Sequence, residues 1–104
     1  MTVFVDELQH WPGALSPFHK GFCHLTATSD EELHAFAFRI GLRRSWFQPH
    51  RVANHYDLTP RRREAALAMG AVFMPAREQI VRRRAGTFSA PYPHQGGNDA
   101  KKPG

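Results

Sequence analysis

The chain starts with a β-branched and aromatic run that ends at an acid, and its side chains alternate between two sides. Val3 and Val5 fall on one side of an extended segment and Phe4 and Asp6 on the other, so Thr2–Val5 predicts a first strand. The alternation returns at Phe22–Thr28. Cys23, Leu25 and Ala27 share an apolar face there, and His24 and Thr26 share the opposite one. Residues 8–21 between these strands hold Trp11-Pro12-Gly13, Ser16-Pro17 and Gly21, which reads as one long loop. Long ordered loops in small domains tend to carry function.

After Thr28 the period changes from two to about 3.6. Ser29 and Glu32 have the spacing of a helix capping box, and Asp30 and Glu31 suit the positive end of a helix dipole. Leu33, Phe36, Ala37 and Ile40 form one buried stripe, and Gly41 supplies the stop. Ser45–Gln48 predicts a short strand broken by Pro49, and His55–Leu58 predicts another. Thr59-Pro60 starts a second helix, with a hydroxyl N-cap and proline at the first helical position. Gly70 ends it, Ala71–Met74 returns as a strand, and Ala76–Arg84 predicts a short basic helix. Strand, helix, glycine and apolar strand in that order is the grammar of a parallel βαβ unit.

The expectation is therefore one α/β domain over residues 1–85. It is a small two-layer sandwich with a mostly parallel sheet of three or four strands and two or three helices mainly on one face. Residues 86–104, rich in Gly, Pro, Asn, Gln and Lys, predict a disordered tail. At 104 residues there is room for one core. A hydrophobic share of 41% argues against disorder over most of the length. No apolar run approaches the roughly 20 residues of a membrane span. Residues 1–7 lack a basic, then apolar, leader pattern, and the single cysteine leaves no intramolecular disulfide or multi-cysteine zinc site. The expected address is cytoplasmic, with no membrane partner.

Charge adds a functional hint. The net charge is +5, and of the 14 Lys and Arg side chains 11 are arginine, whose fork matches phosphate and carboxylate geometry. Arg61, Arg62 and Arg63 stand in the first turn of the second helix, where cations are disfavoured by about 0.3–1 kcal/mol each. An anion held by them, with Thr59 adding a hydroxyl, would reverse that sign; pairing with Asp57, Glu64 or another surface acid, or simple solvation, is the plainer explanation. The implied partners are nucleic acid or a phosphorylated small molecule. No glycine-rich phosphate loop is present.

Strand parity brings a second candidate together. With the helices on the apolar face, Asp6, His24, His55 and Asp57 converge on the other, and Asp6 and Asp57 lie near strand ends where α/β sheets place ligands. Two carboxylates and two imidazoles suit a divalent cation or a general acid–base set. A merely wet sheet face is the competing explanation. Trp46, Gln48 and His50 are candidates for lining a substrate. His34 reads as a half-buried surface histidine, Trp11 and Trp46 as packing residues, Cys23 as buried and inert, and Arg82–Arg84 as a solvated run.

The motifs at Met1–Asp6, Cys23–Leu25, Glu32–His34, Trp46–Gln48, His55–Leu58 and Gly70–Val72 appear in an order that resembles the bacterial and phage domain of unknown function 4031, over about residues 1–75. That family more often has tyrosine at the position of Phe4 and a basic residue at that of Ser45. The resemblance implies a stand-alone intracellular protein, brings no assigned activity or cofactor, and places Asp6, His24, Trp46, Gln48, His55 and Asp57 in the family pattern. Three function classes stay open. One is a non-catalytic nucleic-acid- or phosphate-binding module built on the arginines. Another is a small metal-assisted hydrolase of a phosphate ester built on the Asp/His cluster. The last is an accessory protein that binds another protein.

Overall fold

The computed structural model describes residues 2–10 and 12–88. Trp11 and residues 89–104 of the expected tail lie outside the described residues. The elements are β1 (Val3–Val5), β2 (Cys23–Ala27), α1 (Asp30–Arg39), β3 (Tyr56–Leu58), α2 (Pro60–Ala68), β4 (Val72–Phe73) and α3 (Ala76–Ala85). Single 3₁₀ turns occur at Phe18–Lys20 and Arg44–Trp46.

The four strands form one sheet in the order β3-β2-β1-β4. The expected mostly parallel sheet is corrected here, because the sheet is mixed. β2 runs antiparallel to both β1 and β3, and only β1 and β4 are a parallel pair. The reason lies in the connections. The 6–22 loop contains no crossover helix; it doubles back on itself, with Gln9 and Phe22 exchanging backbone hydrogen bonds at 2.7 and 2.9 Å, and so returns β2 beside β1 in the opposite sense. After α1 the segment from Gly41 to His55 runs the length of the sheet again, so β3 also opposes β2. The β3-α2-β4 unit does keep its two strands in one direction, but it places them on opposite edges with β2 and β1 between.

The caps act as the sequence spacing predicts. Ser29 Oγ accepts from the Glu32 N–H at 3.2 Å, although the Glu32 carboxylate turns to the Thr28 hydroxyl instead of closing the reciprocal half of the box. Thr59 Oγ1 accepts from the Arg62 N–H at 3.2 Å. The Ser45–Gln48 strand does not form. Its residues enter the 3₁₀ turn, and Gln48 then makes an isolated bridge to His55.

One sheet face is dry. Val5, Cys23, Leu25, Tyr56 and Leu58 pack there with Leu33, Phe36 and Ala37 of α1 and Ala66 of α2. On the opposite face Phe4 joins Met74 and Phe88 in a smaller cluster, and α3 adds Gln79, which accepts from the Thr26 hydroxyl at 2.7 Å and donates to the Met74 carbonyl at 2.9 Å. Phe88, within the span expected to be tail, is 8% exposed and stacks obliquely on Phe4 at 5.0 Å.

Candidate metal centre

The polar half of the second face carries the cluster expected from strand parity. Asp6 follows β1, His24 is the second residue of β2, Asp57 is central in β3 and His55 immediately precedes it. The β2–β3 register sets His24 directly opposite Asp57, so both side chains leave the sheet on the same side.

Asp6 is 2% exposed and belongs wholly to His24. One carboxylate oxygen accepts from the His24 backbone N–H at 2.6 Å, and the other lies 2.8 Å from His24 Nδ1. An ionised carboxylate only accepts, so in the neutral ring Nδ1 carries the proton and Nε2 keeps its lone pair. His55 is fixed in the same way, because its Nδ1 lies 3.0 Å from the Ala53 carbonyl oxygen, again a pure acceptor. Both free Nε2 atoms turn toward one oxygen of Asp57, His24 at 3.9 Å and His55 at 3.5 Å. The other Asp57 oxygen accepts from Gln48 Nε2 at 2.7 Å. Gln48 in turn is pinned to His55 by two backbone hydrogen bonds of 2.8 and 3.0 Å.

His24, His55 and Asp57 thus form a three-donor set, in which one ligand atom from each residue lies within 4.8 Å of the others, and Asp57 Oδ1 faces both Nε2 atoms. Tetrahedral coordination with bonds of about 2.0–2.1 Å separates ligand atoms by about 3.3 Å, so a small inward movement would complete the site. Two imidazoles and one carboxylate suit Zn²⁺, Mn²⁺ or Fe²⁺. Asp6 and the Ala53 carbonyl stand where the outer partners of metal-bound histidines stand, holding tautomer and ring orientation. The Asp6 hydrogen bond also raises the His24 pKa above its ordinary 6.5, against the opposing pull of burial. One residue away on the dry face, burial pushes the Cys23 thiol up to about 12, which leaves it protonated and inert.

His50 is held differently. Its Nδ1 accepts from the Val52 N–H at 3.1 Å, so the neutral ring carries its proton on Nε2 and offers a donor instead of a lone pair. Asn54 shapes the same loop, accepting from the His50 N–H and donating to Asp30 at the start of α1.

Two cavities are lined by members of the donor set, one by Asp57 and the other by His24 and His55. One of about 620 Å³ is lined by Trp46, Phe47, Gln48, Asp57, Thr59 and Arg62. The other, about 280 Å³, is lined by Asp6, His24, His50, His55, Gln79 and Arg83 among others. The expected lining residues Trp46 and Gln48 therefore face the first cavity and His50 faces the second.

The three arginines of α2 do not act as a group. Arg62 Nη1 donates to the Ile40 and Gly41 carbonyls at 3.3 Å each, closing the C-terminal end of α1, and its guanidinium lies 5.5 Å from the Trp46 ring. Arg63 Nε donates to the Asp6 carbonyl at 3.0 Å and so braces the candidate centre from behind. Arg61 is exposed. Arg62 and Arg63 donate to backbone carbonyls and make no ion pair with a surface acid among the described residues.

Sequence reading missed Arg83. Its place four residues after Gln79 puts both on one side of α3, but the flanking arginines hide that signal. It also missed the Ala53 carbonyl, since main-chain atoms leave no trace in residue type.

No helix among the described residues is long and apolar enough to cross a membrane. No curated protein and no solved structure matches the chain. A family model does match, over residues 3–86, a span that takes in every element of the fold and each of these donors: the chain belongs to the family described as Protein of unknown function (DUF4031).

Proposed function

We propose that this domain binds one divalent metal ion through His24 Nε2, His55 Nε2 and Asp57 Oδ1 and uses it to hydrolyse a phosphate ester. The observation that carries this reading is the matched placement of the two imidazole rings. Each has Nδ1 committed to an acceptor and Nε2 turned on the same carboxylate oxygen. A wet sheet face has no need of that coincidence.

Three protein donors leave a coordination position for water, the pattern of catalytic rather than structural zinc. An ion held by these donors would supply Lewis acidity and make a water available as hydroxide near neutral pH. In the hydrolysis the bond from water oxygen to phosphorus forms, the ester P–O bond breaks, and the water proton ends on the leaving oxygen. Asp6 holds His24 in the ligating tautomer throughout. Gln48 keeps Asp57 turned so that one oxygen faces the imidazoles.

A polyanion-binding module built on Arg61–Arg63 is less well supported, because Arg62 and Arg63 already serve backbone carbonyls. The test is release of p-nitrophenol from p-nitrophenyl phosphate by protein loaded with Mn²⁺ or Zn²⁺. Turnover should vanish with chelator, return with metal, and fall at least about tenfold in Asp57→Asn. Turnover indifferent to chelator and to that substitution would overturn the proposal.

A further inference from the structure

We infer that the smaller cavity beside the donor set is a subsite for a phosphate dianion, with Arg83 and His50 as its recognition residues. The inference rests on the metal-site reading for the orientation of the substrate, but its own evidence is separate.

The cavity of about 280 Å³ has His24 and His55 on one side, the His50–Ala53 loop on another, and Ala76, Gln79, Ile80 and Arg83 of α3 on a third. Two hydrogen-bond donors there stand out. Arg83 Nε is buried and finds no acceptor anywhere among the described residues. A buried donor left without an acceptor is costly, more so when it is charged. The guanidinium lies 3.8 Å from the centre of the Phe88 ring, and Asp30 is the acidic group that acts on it from a distance. The stack on Phe88 fixes the plane of the guanidinium, and its Nε–H stays without an acceptor among the described residues. By contrast the neighbouring Arg82 pairs with Glu78 at 3.0 Å.

His50 supplies the second donor. The Val52 N–H occupies Nδ1 and leaves Nε2–H as its free edge, with the ring 5.9 Å from that of His55. His50 therefore differs in kind from the two ligating histidines; it is set to donate to an oxygen, not to bind a cation. A tetrahedral oxyanion suits the combination, because it offers several acceptors at once. An anion in this cavity would lie beside His24 and His55 of the donor set while its oxygens accept from Arg83 and His50. The larger cavity, lined by Asp57 of the donor set, then remains for the organic group of the ester.

The experiment is calorimetric titration of inorganic phosphate into the full chain, with and without saturating Mn²⁺, after Mn²⁺ binding itself has been measured. Phosphate should bind at one site. Arg83→Met keeps length and removes the donors, and should weaken phosphate binding at least about tenfold with Mn²⁺ affinity unchanged; Arg83→Lys should recover part of the loss. His50 is exposed, so His50→Ala gives an independent arm should Arg83→Met fail to fold, and it too should weaken phosphate. Phosphate binding that needs Arg83 and His50 in a chain that takes no Mn²⁺ would overturn the metal reading and support this one. Mn²⁺ binding without phosphate binding, or phosphate binding equal in all variants, would overturn the subsite and leave the metal reading standing.

Discussion

The two faces of this sheet are built from alternate residues of the same strands, yet they behave as different materials. In β2, Cys23, Leu25 and Ala27 enter a dry cluster closed by α1 and α2, while His24 and Thr26 enter a hydrogen-bonded one. Neighbouring residues carry the contrast to its limit. Burial among apolar groups drives the Cys23 thiol up to about 12 and removes its chemistry. His24, one peptide away, is only partly buried and has a carboxylate on Nδ1, which keeps its chemistry and orients it. The lesson is that this domain stores stability on one face and specific side-chain orientation on the other.

That division can be broken most strongly at Leu25, which is fully buried. Leu25→Ala should cost about 2–5 kcal/mol in denaturant unfolding, while any metal bound by the protein that remains folded should be held as tightly as before. Destabilisation well under 1 kcal/mol would show that the dry face is not the store of stability.

Asp6→Asn attacks the other face. An amide NH₂ facing His24 Nδ1 would make that nitrogen the acceptor and move the ring proton to Nε2, removing the ligating lone pair. Metal affinity should fall about 10–100-fold, and nitrogen-15 NMR of the imidazole should report the changed tautomer. An unchanged tautomer would show that Asp6 is not what sets it.

Thr26→Val tests the polar face away from the centre. It deletes the donor to Gln79 within a buried pair, and should cost about 1 kcal/mol with no effect on metal. A loss of metal affinity in this variant would mean that the two parts of the face are coupled.

A smaller effect is the pH dependence of the metal-free protein. The folded pKa of His24 is raised above 6.5, with the Asp6 hydrogen bond as the main cause. The stability this pair contributes is therefore complete below pH 6.5 and is lost as pH rises through the higher folded value. Urea midpoints measured upward from about pH 6 should decline, and the decline should shrink in Asp6→Asn. The smallest signal belongs to Cys23: iodoacetamide should leave the native thiol unmodified at neutral pH and label it on unfolding.

Much of this arrangement was legible in the sequence, and the reason is local. Period-two alternation fixes which residues share a face without any knowledge of strand direction, so Asp6, His24, His55 and Asp57 could be grouped even though the sheet was expected to be mostly parallel. Strand direction depends on how the 6–22 loop and the Gly41–His55 segment travel, and composition does not encode that path. Thr59 was recognisable as a cap because its partner is three residues away. The roles of Arg62 and Arg63 were not, since their acceptors are main-chain carbonyls 21–22 and 57 residues distant. Arg83 was concealed by its own neighbours, and Phe88 by a glycine- and proline-rich setting that resembles a tail.

The most direct measurement is diffraction from crystals of the chain grown with Zn²⁺ or Mn²⁺, recorded at the absorption edge of the metal. The account predicts one anomalous peak per chain within about 2.0–2.2 Å of His24 Nε2, His55 Nε2 and Asp57 Oδ1, with Asp6 still on His24 Nδ1 and at least one coordination position held by water. An anomalous map empty at this point, or an ion held by other side chains while His24 and His55 keep their metal-free positions, would contradict it.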